Sequence, residues 1–168
     1  EGHLLSVLAN NAHILELPAM GLLVSGNHTE IIKIEKIGSY RILGEVLDDA
    51  IGEAFDKVAR ALGLGYPGGA ALAKLAEQGN DKAYNFPVPL HGVKTLDFSY
   101  SGIKAAVMRV IKEKSVVTQQ DAADIAASFQ RVAIQHIMDR IKRAFEQESP
   151  AMLLLGGGVA ANVLLRKE

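Results

Sequence analysis

Residues 121–147 carry one unbroken amphipathic pattern, with Ile125, Phe129, Val132, Ile137, Ile141 and Phe145 on a single stripe. A pattern of that length predicts a long helix with one buried face. Pro150 stops it, and Met152-Leu153-Leu154-Leu155 follows as a buried strand. Gly156-Gly157-Gly158 then leads into a new helical pattern over residues 160–168. Helix, strand, glycine turn and helix in immediate succession point to an α/β fold, with the strand in a sheet that the helices cover.

Upstream, the pattern first has the period of strands. Residues 4–8 read as the last turns of a helix that Asn10-Asn11 breaks. Residues 20–25 are an apolar run ending at Gly26, residues 30–37 alternate, and residues 40–43 follow Gly38-Ser39. Three strands joined by short turns predict an antiparallel meander on a larger sheet. Near residue 48 the period becomes helical: Ile51, Phe55, Val58, Ala59 and Leu62 share a face, and Gly63 and Gly65 end it. Asp48-Asp49 at its start favour the positive end of the helix dipole. Tyr66-Pro67-Gly68-Gly69 is a tight turn before a helix over residues 70–78, and residues 80–96, with Pro87 and Pro89, read as loop. Residues 101–113 are a helix with Ser101 as its cap. The expected division is residues 1–47, the end of an N-terminal lobe or the start of the central sheet, and residues 48–168, a helix-rich second lobe.

With 168 residues and 49% hydrophobic content the chain can bury a core. Its net charge of −1 gives no global pull toward nucleic acid or an anionic membrane, so such a partner needs a local basic patch or other subunits. There is no cysteine, hence no disulfide framework and no thiolate ligand, which fits a cytoplasmic protein. No apolar run is long enough to cross a membrane. The chain opens on Glu1 rather than Met, and its last helical pattern stops within about three turns. These ends read as those of a piece cut from a longer protein.

Three constellations bear on chemistry. The run Gly156-Gly157-Gly158-Val159-Ala160-Ala161-Asn162 sits between strand and helix, where glycines admit a ligand to the backbone and free N–H groups attract anions. Asn162 falls about one turn into the expected helix. This run is neither a P-loop nor GxGxxG. Leu23-Val24-Ser25-Gly26-Asn27-His28-Thr29 is a strand entering a small polar turn that can hold phosphate or carbonyl oxygens, although a hairpin with positive φ at Gly26 and Asn27 is the favoured local reading. Asp49, Glu53 and Asp56 share a helical face, one of them a candidate for ribose hydroxyls or a ligand amine. His13, His91 and His136 read as structural. Lys104, Arg109, Lys112 and Lys114, and likewise Arg131, Arg140, Lys142 and Arg143, read as solvated basic faces before they read as phosphate contacts.

In order along the chain stand Glu1-Gly-His-Leu-Leu5, Leu22-Leu-Val-Ser-Gly-Asn-His-Thr29, Leu43-Gly-Glu with Asp48-Asp-Ala, and Gly52-Glu-Ala-Phe-Asp-Lys-Val-Ala59. Then come Gly63-Leu-Gly-Tyr-Pro-Gly-Gly69, Asp97-Phe-Ser-Tyr-Ser-Gly-Ile-Lys104, Asp124-Ile-Ala-Ala-Ser-Phe129 and Gly156-Gly-Gly-Val-Ala-Ala-Asn162. This set resembles the TsaD family, the tRNA N6-adenosine threonylcarbamoyltransferases, over nearly the whole chain. The resemblance implies an α/β, actin-like or Hsp70-like ATPase fold, of which the chain holds parts of two lobes. It implies transfer of threonylcarbamoyl from threonylcarbamoyl-AMP to N6 of an adenine beside a tRNA anticodon, in a complex with other subunits. Carried over residue by residue, it assigns substrate binding to Leu23, Val24, Ser25, Gly26, Asn27, Asp56, Gly69 and Asn162, and no catalytic side chain. It implies one iron or zinc ion per subunit, held by a His-x-x-x-His pair and a distant Asp. His3 matches the second His, and the other ligands fall outside this chain, so the expectation is that the chain by itself keeps no metal, binds adenine nucleotide weakly and is inactive. Two departures stand out: Asn27 replaces a usual Gly, and Ala73 stands where the family often has an Asp.

Three other readings stay open at this point. One is a non-catalytic paralogue of the same fold that serves as a scaffold for the transferase. Another is a metallopeptidase, in line with the family's older glycoprotease label, although the His-Glu-x-x-His helix is missing. The third is a sugar kinase or ATPase on the same fold.

Overall fold

The computed structural model describes residues 15–168. The expected helix at residues 4–8, the Asn10-Asn11 break, His13 and the proposed metal ligand His3 lie outside the described residues.

Strands β1 (Ala19–Val24), β2 (Thr29–Lys36) and β3 (Ser39–Gly44) form the expected antiparallel meander. Strand β4 (Met152–Gly156) lies parallel to β1 on its other side, giving the order β3-β2-β1-β4. All six residues of β1 are buried, as expected for a strand paired on both sides and covered on both faces. Strand β4 differs from expectation. It lies at the sheet edge among the described residues, and Leu153 is 39% exposed, so this strand is half-buried rather than buried.

Between β3 and β4 run helices α1 (Ile51–Ala61), α2 (Gly69–Ala76), α3 (Ser101–Glu113) and α4 (Gln119–Glu148). A 3-10 turn (Gly158–Ala161) and the short α5 (Val163–Lys167) follow β4. Alternation along the strands sorts the core. Met20, Leu22, Val24 and Ile31 face Ile51, Phe55 and Val58 of α1 and Phe129 and Ile137 of α4, while Ala19, Ile32, Ile34 and Leu154 gather in a smaller cluster. Residues on both sides of position 47 share the larger cluster. Each such side chain, fully buried, contributes about 1.5–3 kcal/mol. No helix among the described residues is long and apolar enough to cross a membrane.

The stripe read from α4 is buried from Ile125 through Ile141, with Phe145 half-buried. The helix begins two residues earlier than read, because Thr118 and Asp121 form a reciprocal capping box. The spacing Thr-x-x-Asp was available as a signal. Helix α1 ends as the glycines predict: the Gly63 N–H donates to the Arg60 carbonyl and the Leu64 N–H to the Ala59 carbonyl, the paired bonds of a Schellman motif.

The start of α3 corrects two expectations. Ser101 does not cap it, being the first helical residue with its hydroxyl donated to Asp48, and Asp48 does not serve the dipole of α1. The Asp48 carboxylate instead accepts from the N–H groups of Tyr100 and Ser101 and from the hydroxyls of Ser99 and Ser101, at 2.6–3.2 Å. Partial burial alone would raise this carboxyl, but the four hydrogen bonds outweigh it and hold it below the usual range. One aspartate thus ties the entry of α1 to the entry of α3.

Candidate ligand cleft

The site is built at the carboxyl ends of β1 and β4, where Leu23 pairs with Gly156. Open α/β sheets receive ligands at such strand ends. The turn after β1 is closed by Ser25, whose N–H donates to the His28 carbonyl and whose hydroxyl accepts from the N–H groups of Asn27 and His28. Neither Gly26 nor Asn27 has positive φ. The hairpin reading holds, since Val24 pairs with Thr29 across the turn, but its positive φ angles are corrected: the Ser25 side chain, not left-handed backbone, makes the turn. On the Asn27 departure, the backbone at that position asks for no glycine-only conformation.

The start of α1 docks on this turn. The Ile51 N–H donates to Thr29 Oγ1 at 2.9 Å and the Gly52 N–H to the Ser25 carbonyl at 3.2 Å. A β-carbon at Gly52 would stand 2.5 Å from the Ser25 oxygen, so only glycine allows the approach. From the other side comes Gly157, with φ 95° and ψ 165°, where a β-carbon would stand 2.2 Å from the Val24 oxygen. Two glycines thus bring a helix start and the glycine loop onto the end of β1, with backbone N–H groups gathered at one place.

One turn along α1, Asp56 Oδ1 accepts from the N–H groups of Gly68 and Gly69 at 2.8 Å each, which fixes the start of α2. Asp49 and Glu53, read as sharing its role, are occupied elsewhere: Lys57 pairs with both, and Lys104 pairs with Asp49. Of the three acids, Asp56 lines the cleft. Asn162 is not inside a helix, as read, but caps α5. The Gly158–Ala161 turn delays the helix, Asn162 Oδ1 accepts from the Leu165 N–H at 3.1 Å, and Nδ2 donates to Gln130 Oε1 at 2.8 Å.

These elements enclose a cleft of about 640 Å³, within the size range of small-ligand sites. Gly26, Asp56, Gly69 and Asn162 of the expected set line it together. Leu23 and Val24 are buried in β1, and Ser25 and Asn27 belong to the turn beside it. Ala73 also lines the cleft, as do Gly52, Phe55, Lys74 and Glu77, which the sequence reading did not single out. Glu77 lies one helical turn beyond Ala73, a spacing that could have flagged it.

The histidines and basic residues settle differently. His136 is fully buried, with Nε2 accepting from the Ser99 N–H and its ring edge-on to Phe98 and Tyr100, and burial lowers its pKa to about 4. His91 and His28 are exposed. Among the described residues no three His, Asp or Glu side chains form a metal cluster. Arg140, read as part of a solvated face, is only 2% exposed, and its guanidinium donates to the Leu90 and Val93 carbonyls. Lys104 and Lys114 are held by Asp49 and Asp121, whereas Arg109, Lys112 and Lys142 stay exposed.

The sequence model of the TsaD family, described as tRNA N6-adenosine threonylcarbamoyltransferase, matches residues 1–168. Relatives bearing that same name include proteins from a Nitratiruptor species, 45% identical over 99% of this chain and 50% of the relative, and from Bordetella parapertussis, 46% identical over 99% and 49%. A third, from Rhizobium etli, is 47% identical over 99% of this chain and 47% of its own length. The chain spans about half the length of the relatives it matches. With the family's model matched from end to end, the chain belongs to the TsaD family.

Proposed function

We propose that the chain supplies the nucleotide-side half of an active site that moves threonylcarbamoyl from threonylcarbamoyl-AMP to N6 of an adenine beside the anticodon of tRNA. The intact protein would have the two-lobed actin-like fold and work in the cytoplasm with the other subunits of the modification complex. The single observation that carries this reading is the cleft at the ends of β1 and β4, where Gly26, Asp56, Gly69 and Asn162 meet. Family membership supplies the reaction class.

In this reading the phosphate and carbamoyl end lies against the Ser25–Asn27 turn, with the backbone N–H groups of Gly26 and Gly158 as donors. Asp56, Gly69 and Asn162 border the adenosine end. The adenine N6 attacks the carbamoyl carbon, a C–N bond forms, and the C–O bond to phosphate breaks. AMP leaves with the electron pair, and the N6 proton passes to solvent or the departing phosphate. No Ser or Lys among the cleft-lining residues is paired with a base, so transfer is direct, without an acyl-enzyme. The iron or zinc of the family is not accommodated by the described residues alone, and no step here runs through it.

The test is a chimera in which residues 1–168 replace the matching half of the Nitratiruptor relative, assayed with labelled threonylcarbamoyl-AMP and tRNA. Formation of the modified adenine is expected. A folded chimera that binds tRNA yet yields no product refutes the proposal, and a labelled acyl-enzyme refutes the direct route.

A further inference from the structure

We infer that Glu77 determines ligand specificity in the cleft by accepting hydrogen bonds from donor groups at the nucleoside end of the ligand; this rests on the nucleotide reading above. Several polar side chains that reach the cleft are already engaged by the fold. Asp56 Oδ1 holds two backbone N–H groups, and both ends of the Asn162 amide are taken by Leu165 and Gln130. Lys74 and Glu77 also line the cleft from α2, and neither side chain forms a hydrogen bond or ion pair with another described residue.

The two ends of the cleft differ in polarity. At one end Gly26 and Gly158 offer backbone N–H groups beside the positive terminus of α1, suited to phosphate. Glu77 lines the cleft eight residues and about 12 Å of helical rise beyond Gly69, which borders the adenosine end in the reading above. It also borders an adjoining cavity of about 250 Å³, sharing that ridge with Ala73 and Val163. Ala73, one turn earlier, offers no polar atom. An ionised carboxylate accepts only, so Glu77 favours hydroxyl or amino groups there and disfavours a carbonyl. The shared chemistry is a hydrogen-bond donor, from either the ribose hydroxyls or the exocyclic amine of the base.

The experiment measures binding of ADP, 2′,3′-dideoxy-ADP and IDP to the chain and to Glu77→Ala and Glu77→Gln, by NMR titration. Glu77 is exposed, and unchanged thermal melts verify that both variants fold. Glu77→Ala is expected to weaken ADP binding about 5- to 10-fold. A surface acid without this role would act oppositely, since its removal relieves repulsion of an anionic ligand. Loss of the variant's effect with 2′,3′-dideoxy-ADP names the ribose as donor, and loss with IDP names the base amine. Equal ADP affinity in the variants, or an equal weakening for all three ligands, overturns the role of Glu77 while leaving the cleft reading intact. No saturable ADP binding by the unmodified chain overturns both.

Discussion

Acidification should unfold this chain through His136 before its carboxylates matter. The imidazole is fully buried, its Nε2 accepts from the Ser99 N–H at 3.3 Å, and the edges of Phe98 and Tyr100 close around it. Burial chiefly, and then the Arg140 cation one turn along α4, lower its pKa from 6.5 to about 4, while Asp48 opposes them. In the unfolded chain the ring takes its proton near pH 6.5. Between pH 6.5 and 4 the unfolded state therefore binds more protons than the folded one, and stability falls as pH falls. A difference of about 2.5 between the two pKa values corresponds to about 3 kcal/mol, of which about 2 kcal/mol is lost by pH 5. The lowered carboxylates Asp48, Asp49 and Glu148 act later, because their unfolded values lie near 4. The assay is urea unfolding followed by circular dichroism at pH 7, 6, 5 and 4.5, with His136→Gln alongside, since its amide can accept from Ser99 but does not titrate. The unmodified chain should lose stability across this range and the variant should stay nearly flat above pH 5. Equal slopes in the two proteins, or an NMR titration placing His136 above pH 6, refute the reasoning.

Gly157→Ala should cost about 3 kcal/mol or more, because its φ of 95° is open only to glycine and the new β-carbon meets the Val24 carbonyl. Gly158→Ala, next to open space, should shift the melting temperature hardly at all. Asp48→Ala removes four hydrogen bonds at the start of α3 and should cost about 2–4 kcal/mol in urea unfolding, with Asp48→Asn less damaging. Asn162→Ala loses both the α5 cap and the Gln130 bond, an expected cost of about 1–2 kcal/mol, with nucleotide affinity reduced as the cleft wall loosens. An unchanged melt for this last variant would show that the cap is not needed to hold that wall.

Much of the architecture could be read from local pattern. Period-2 alternation and short turns specify β1 to β3, and the stripe from Ile125 to Ile141 specifies the buried face of α4, because each depends on neighbours a few residues apart. The ordered blocks of residues likewise carry the family without any coordinates. Polar commitments were not legible, since they depend on which distant atoms a side chain meets. Asp48, Asp49 and Asp56 look interchangeable in sequence, yet one caps α3, one holds two lysines and one fixes the start of α2 at the cleft. The serine closure of the β1–β2 hairpin was hidden for the same reason, its glycine-asparagine pair matching a positive-φ turn that the backbone does not adopt.

The sequence by itself determined the α/β class, the long helix and the family, because apolar periodicity and motif order are properties of the chain. Only the tertiary structure decided that Gly26, Asp56, Gly69 and Asn162 share one cleft, and that Glu77 stands in it with no partner of its own among the described residues. Parallel pairing of β1 with β4 brings together residues more than a hundred positions apart, and the absence of a β-carbon at Gly52 and Gly157 lets their backbones approach. That closeness is a matter of space, and no spacing along the chain encodes it.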